Sequence, residues 1–412
     1  MKYVLLVGDG MADLPIAELQ NMTVLEYTHC PMLDKLASAV EIGSVQTVPI
    51  SMAPGTDTAF YGLMGYDPRE YYTGMAPLEA HGMGIRLADG EIAIRCNLVN
   101  ISDDSFDIAV MGSHSCYNVD NEVGRVIVDW LIHEPEFKSE LDALSMTIVP
   151  CYGFRHLAIL KHSERYNIEE DFAIVPPHDI TGKQIRNYIN PQTNNNRLMW
   201  RLIRKSSEIL PRCPYNQELV RMGYRPCNCI WLWGAGTKPD FVSIRERFGV
   251  SGAVIAGVPI VNGICSLCGM TPIRVEGATG YKNTNYQGKA LSAVDALLNK
   301  GFDFVLVHVE APDECSHEGD IDGKIMAVKN IDKMAETIVK GLGEEEFRIM
   351  VMSDHISSLE SRTHDWGSVP YLLFDSRTFR ERGISFDESS SKKFGGEVKN
   401  VTALLSRLFE TE

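Results

Sequence analysis

The sequence contains no run of 18 consecutive apolar residues, so no part of it reads as a membrane-spanning helix. It is also short of positive charge: 39 Lys and Arg stand against 55 Asp and Glu, a formal net charge of −16. Such a chain lacks the basic face that grips a nucleic-acid backbone. A small anionic ligand is not excluded, because local arginines, lysines and bound cations can override the global sign. The N-terminal segment is not expected to be a secretory leader either. The apolar run at residues 3–7 is too short, Asp9 and Asp13 follow it directly, and the segment reads as a core strand of a cytoplasmic protein. The ten cysteines are scattered, and Cys265 and Cys268 have no second CxxC to complete a four-thiolate site, so buried thiols are expected. No Walker-type phosphate loop is present.

The 412 residues suffice for two domains, or for one domain with a large insertion. Residues 3–7 predict a buried parallel strand that ends in Gly8-Asp9-Gly10. A helix is expected over 31–40, with Pro31 at its start. The segment from Pro54 to Ala59 leads into another helix with Thr56 in its first turn, where unpaired backbone amides can hold a phosphate. The last third alternates again: helix 290–299, strand 304–309, helix 324–342, strand 347–352 and strand 369–374. Strand ends at three distant places therefore deliver Asp9, Asp313 and the Asp354-His355 pair, and open α/β sheets put their chemistry at that end. Residues 93–233 are richer in Asn, Arg, Tyr and His, and 187–197 read as a polar loop. The economical division is a first domain over 1–90 and 236–412, with a second domain inserted at 91–235.

The candidate metal ligands are Asp9, Asp313, His317, Asp354, His355 and His364, with Thr56 beside them. Asp313 and His317 are four apart and share a face if helical. Any one of these residues alone would be an ordinary cap or surface group. Together, at the ends of apolar strands, they suit two divalent cations, Mn²⁺ or Zn²⁺ first, with Mg²⁺ and Co²⁺ as further candidates. Paired cations are the usual apparatus of phosphoryl displacement. Threonine is a weak nucleophile at neutral pH, and coordination supplies what a neighbouring base otherwise would.

The segments that carry this pattern are VGDGMAD (7–13), PGTDTAFYGLMGYDP (54–68), YYTGMAPLEAHGMGI (71–85), IRCNLV (94–99), FRHL (154–157), GATGYKNTNYQGK (277–289), VHVEAPDECSHEGD (307–320), SDH (353–355) and THDWGSVPYLL (363–373). They resemble the archaeal-type 2,3-bisphosphoglycerate-independent phosphoglycerate mutases, within the alkaline phosphatase superfamily. The resemblance implies an α/β fold with a mostly parallel sheet sandwiched between helices, plus a second, inserted α/β domain. It implies one metal set of Asp9, Thr56, Asp354 and His355, and another of Asp313, His317 and His364. Thr56 stands where the family usually has its serine nucleophile. Ile356-Ser357-Ser358 departs from the proline-containing version expected after Asp354-His355. The implied activity is interconversion of 3- and 2-phosphoglycerate in glycolysis and gluconeogenesis through a phosphothreonine. Arg95, Arg155 and Lys289 are candidates for holding carboxylate and phosphate, and Arg155 and His156 for catalytic roles, His156 as a proton donor or acceptor. The competing expectations are a metal-dependent phosphomonoesterase or phosphodiesterase, another phosphomutase of the superfamily, or a non-catalytic metal-stabilised protein. Nothing in the sequence sets the oligomeric state.

Overall fold

The computed structural model describes residues 1–38, 41–102, 105–189, 196–378 and 382–409. They form two compact units. One comprises Met1–Tyr72, His81–Met83 and Asp240–Glu412, the other Thr73–Ala80 and Gly84–Pro239. The chain thus leaves the first unit at Tyr72, ahead of residue 90, and returns at Asp240, just after residue 235.

In the first unit, an eight-stranded sheet runs, among the described residues, in the order Gly396–Val398, Glu41–Gln46, Ser368–Asp375, Phe347–Ser353, Lys2–Gly8, Phe304–Val309, Gly252–Ile255, Thr271–Pro272. Lys2–Gly8 is parallel to both of its neighbours. Val4, Leu5, Leu6 and Val7 are all buried, which is why the strand reads as an unbroken apolar run and not as an alternation. Val4 and Leu6 join Val305, Val307, Ile349 and Val351 in a core completed by the helices Pro31–Ala37, Tyr286–Leu298 and Ile321–Leu342. On the opposite face, Tyr3 and Phe304 each meet Phe409 edge to face at 5.1 Å, and His308 meets Phe60 at 5.3 Å. Helices therefore cover both faces. The exception to parallel pairing is Ser368–Asp375, antiparallel to Phe347–Ser353 and to Glu41–Gln46.

The helices form where the sequence provides stripes and caps. Ile321–Leu342 buries Ala327, Val328, Ile331, Ala335, Ile338 and Leu342 at helical spacing, and Asp320 caps it by accepting from Gly323 N at 2.9 Å. Pro31–Ala37 has no side-chain cap of its own, and Asp332 of the long helix accepts from Met32 N and Leu33 N at 2.9 and 2.8 Å instead. That helix closes at Ala37, and Val40 lies outside the described residues.

The second unit has an antiparallel sheet, unlike the first. Its long strand Glu91–Ile101 pairs with Arg155–Lys161 on one side and Cys229–Thr237 on the other. Met146–Tyr152 adds to Arg155–Lys161, and Met111–Ser113 pairs with the end of the long strand. Helices Asn121–His133, Pro135–Leu144 and Asn196–Ile209 complete its core, burying Ile127, Val128, Leu131, Phe137, Met199, Leu202 and Ile203. The expected polar loop at 187–197 is corrected at its end. Asn196 and Arg197 open a helix whose apolar stripe begins only at Met199, so the polar first turn reads as loop. Gly74 and Gly236 let two segments cross: a Cβ on Gly74 would lie 2.2 Å from Ala235 O, and one on Gly236 2.0 Å from Thr73 O. Among the described residues no helix is long and apolar enough to cross a membrane. All ten cysteines are free thiols, Cys265 and Cys268 included.

Candidate active site

Three central strands of the first unit end level with one another: Gly8 is opposite Val309 on one side and Ser353 on the other. The next residues are Asp9, Glu310 and Asp354, so the register alone gathers three carboxylates. Gly10 turns the chain with φ +54° and donates its N–H to Asp354 Oδ1 at 3.0 Å. A Cβ there would lie 2.3 Å from Ser357 Oγ, so only glycine fits. The helix Ala311–Glu318 carries Asp313 and His317 on one face, and the hairpin Ile356–Ser358 with Thr363–Asp365 carries His364. Thr56 is the first residue of the helix Thr56–Leu63, which has no N-cap side chain; Thr58 N donates to Asp57 Oδ1 at 2.8 Å, and the amides of Thr56 and Asp57 have no partner among the described residues.

Asp9, Asp354 and His355 offer donor atoms within 4.8 Å of one another. Thr56 Oγ1 donates to Asp9 Oδ2 at 3.1 Å and lies 3.5 Å from His355 Nε2. Beside this group, Asp313 lies 3.3 Å from His364 Nε2 and 3.1 Å from His317 Nε2. His317 Nδ1 contacts Arg362 O and His364 Nδ1 contacts Pro54 O, both at 3.0 Å. A carbonyl only accepts, so each Nδ1 carries the proton and each Nε2 presents a lone pair inward. Those two Nε2 atoms are 3.1 Å apart, close enough that a proton or a cation must sit with them.

The charges make the same demand. Burial by itself would raise Asp9, yet His355 and His308 hold it well below the usual carboxylate range. Asp354 and Glu310 are pushed well above it, first by burial and then by the charge of Asp9. Burial opposes the charging of His355, but Asp354 and Asp9 prevail and raise it to about 10. His317 is raised to about 9, chiefly by its bond to Asp313. Asp9 Oδ1, Asp354 Oδ2 and Glu310 Oε2 are buried without a hydrogen-bond partner. Asp9 Oδ1 lies 3.1 Å from His355 Nε2 but out of line for a bond. Orphaned carboxylate oxygens and inward imidazole nitrogens are a donor set that fits divalent cations.

Sequence reasoning missed His308, Glu310 and Ser357. His308 Nε2 donates to Asp9 Oδ2 at 2.9 Å, and with Asp9 and Glu310 it forms a third group of close donor atoms. Its signal was a histidine inside the apolar run 304–309, followed at once by an acid. Lys289 is fully buried beside the site: its Nζ donates to His308 O at 3.0 Å and lies near enough to Glu310 to feel its charge. In the second unit, Arg95 is engaged by Glu79 at 2.9 Å and lies over Trp233 at 4.0 Å. Arg155 is exposed, rests over Phe154 at 5.0 Å and forms no ion pair among the described residues. His156 is buried, accepts from Cys151 N through Nδ1 at 3.0 Å, and is pushed down to about 4 by burial. Through that bond it supports the backbone turn at Cys151.

A largely parallel sheet between helices, with acids and histidines at its strand ends beside a helix-borne hydroxyl, defines an α/β protein with a donor set suited to divalent cations. The sequence profile of 2,3-bisphosphoglycerate-independent phosphoglycerate mutase matches residues 37–216. A protein of that name from Methanosarcina barkeri is 38% identical over 397 residues, 95% of each chain. A probable one from Geobacter sulfurreducens is 35% identical over 413 residues, all of both chains. The solved cofactor-independent phosphoglycerate mutase of Thermoplasma acidophilum superposes with a TM-score of 0.61 at 25% identity, over 99% of this chain and 100% of that one. A Pyrococcus horikoshii protein shares the fold with a TM-score of 0.79 at 24% identity, over 100% and 98%. The chain belongs to the 2,3-bisphosphoglycerate-independent phosphoglycerate mutase family.

Proposed function

We propose that this protein interconverts 3-phosphoglycerate and 2-phosphoglycerate through a phosphothreonine at Thr56. The observation that carries the reading is the placement of Thr56 Oγ1, 3.1 Å from Asp9 Oδ2 at the first turn of a helix and beside two groups of cation-binding donors. Divalent cations, Mn²⁺ foremost, held by Asp9, Asp354 and His355 and by Asp313, His317 and His364 would lower the hydroxyl pKa and neutralise phosphate charge. Asp9 takes up the Thr56 proton as Oγ1 bonds to phosphorus. The ester oxygen of the substrate leaves with the electron pair and takes up the proton that Asp9 received, giving free glycerate. The free amides of the Thr56 turn hold the phosphoryl oxygens. The other glycerate hydroxyl then gives its proton to Asp9 as it attacks the phosphothreonine, and Thr56 Oγ1 leaves with the electron pair and recovers that proton. A cytoplasmic, glycolytic and gluconeogenic role goes with this proposal.

Retaining glycerate between the two half-reactions needs a group for its carboxylate. Arg155 of the second unit is our candidate, because its fork has no acidic partner among the described residues. His114 and His178, with ring centroids 6.0 Å apart, lie near enough for Arg155 to oppose their protonation. Arg155→Ala is expected to raise KM about 10-fold or more, the scale of one charge-assisted bond, and to raise the ratio of hydrolysis to transfer. Unchanged KM and partition would remove Arg155 from the substrate site.

The test is to incubate the Mn²⁺-loaded protein with 3-phosphoglycerate, without bisphosphate or ATP, and follow phosphorus NMR. The expected result is 2-phosphoglycerate with little inorganic phosphate. Inorganic phosphate alone would make the protein a phosphomonoesterase instead.

A further inference from the structure

His317 and His364 are each oriented through Nδ1 by a backbone carbonyl, which no side-chain substitution removes. His355 is oriented differently. Its Nδ1 lies 3.2 Å from the hydroxyl of Ser357, and the same hydroxyl bonds to Asp313 Oδ1. A serine hydroxyl has one hydrogen. Spent on the carboxylate of Asp313, it leaves the oxygen as an acceptor, so His355 Nδ1 carries the proton. His355 Nε2 is then the free donor atom. It faces Asp9 Oδ1 at 3.1 Å, Asp354 Oδ2 at 3.5 Å and Thr56 Oγ1 at 3.5 Å.

From this we infer that Ser357 is a positioning residue that fixes the tautomer of His355 and ties the two donor groups together through a single hydroxyl. The inference rests on the reading of these groups as cation sites. Ser357 is well placed for the role. It is fully buried, its N–H donates to Ala12 O at 3.1 Å, and its carbonyl accepts from Lys324 Nζ at 2.7 Å. Lys324 is itself locked by Asp13 at 2.7 Å. The backbone therefore stays in place when the hydroxyl is removed, and the missing side chain of Gly10 is what leaves the hydroxyl its space. Anchoring of a ligand imidazole through its second nitrogen commonly changes metal affinity 10- to 100-fold. Here the anchor is shared with a carboxylate of the neighbouring group, so its loss loosens both.

The experiment is Mn²⁺ titration of the full-length wild type and of Ser357→Ala against a chelating dye, with Ser358→Ala as the control for loss of a hydroxyl in the same hairpin. Ser358 Oγ accepts from Ser361 N at 3.2 Å and touches none of the donor groups among the described residues. The expected result is affinity weakened about 10-fold or more in Ser357→Ala and held within about twofold in Ser358→Ala. A second measurement needs no variant to fold: nitrogen NMR of the Zn²⁺-loaded wild type, labelled at histidine, is expected to show His355 protonated at Nδ1. Ion uptake by the wild type with Ser357→Ala unchanged, or a His355 protonated at Nε2, overturns the role of Ser357 and leaves the cation sites standing. A wild type that takes up no ion overturns both.

Discussion

Replacing Thr56 with alanine is expected to abolish phosphoryl transfer, with turnover falling by about 10⁴-fold or more, while the protein stays folded and keeps its cations. The loss is large because a nucleophile has no substitute: removing one in a hydrolase of comparable logic costs on the order of 10⁶ in turnover. The fold survives because Thr56 is only half-buried and its hydroxyl makes one short hydrogen bond, to Asp9, and one long contact, to His355 Nε2 at 3.5 Å. Such a site costs about 1 kcal/mol or less. Cation affinity is retained because Asp9, Asp354 and His355 still surround the site, so Mn²⁺ uptake is expected within a few-fold of wild type. Thr56→Ser keeps the oxygen and drops the methyl that restricts χ1, and turnover is expected within about 10-fold of wild type. The check is acid quenching with phosphorus-labelled phosphoglycerate. Label on the wild type and on Thr56→Ser, and none on Thr56→Ala, is the expected pattern. A labelled alanine variant would place the nucleophile elsewhere.

The second large effect is one in which activity and stability part company. Asp354→Asn is expected to lower turnover by about 10³-fold or more and to abolish metal-induced stabilisation, yet to leave the metal-free protein as stable as wild type or about 1–2 kcal/mol more so. The reason lies in what each oxygen does. Asp354 Oδ1 accepts from Gly10 N and from His355 N at 3.0 and 2.9 Å, and an amide oxygen can keep both bonds. Asp354 Oδ2 has no partner and is fully buried near the charge of Asp9. In the metal-free protein that oxygen is a cost, and an amide NH₂ in its place removes one of two buried acids set against each other. With cations present the same oxygen is a donor that asparagine cannot replace as an anion. At a metal concentration 100 times Kd, the wild type is expected to gain about 2.7 kcal/mol per site. Thermal melts of both proteins, with chelator and with Mn²⁺, make the comparison. An asparagine variant that gains as much from Mn²⁺ as wild type would remove Asp354 from the ligands.

The central strands were legible because burial on both faces writes them as unbroken apolar runs, and their ends as the acids that follow. Asp9, Asp313, Asp354 and His355 could be found that way. Thr56 could be found because Pro54 and Gly55 announce a helix start. Glu310 and His308 escaped because attention to strand ends skips a polar residue inside the run, although His308 is held there by its bond to Asp9. The burial of Lys289 was not legible, because a lysine in a polar segment looks exposed. Only the packing of Tyr286–Leu298 against the sheet reveals that its ammonium is buried and donates to the carbonyl of His308. The antiparallel pairing of the second unit was hidden for another reason: strand pairing partners are set by register across the fold, which local periodicity does not record.

The placement of Lys2–Gly8 also sets an order of assembly. Its two neighbours, Phe304–Val309 and Phe347–Ser353, are made some 300 residues later. During synthesis the first strand therefore waits, apolar on both faces, until most of the chain has emerged. The second unit has all its strands once Pro239 is made and can fold in the interval. The full set of acids meets only when the last of these strands docks. A ribosome-bound chain truncated before residue 347 should thus hold a folded second unit and lack every donor group that needs Asp354, His355 or His364, with only Asp9, His308 and Glu310 left to gather.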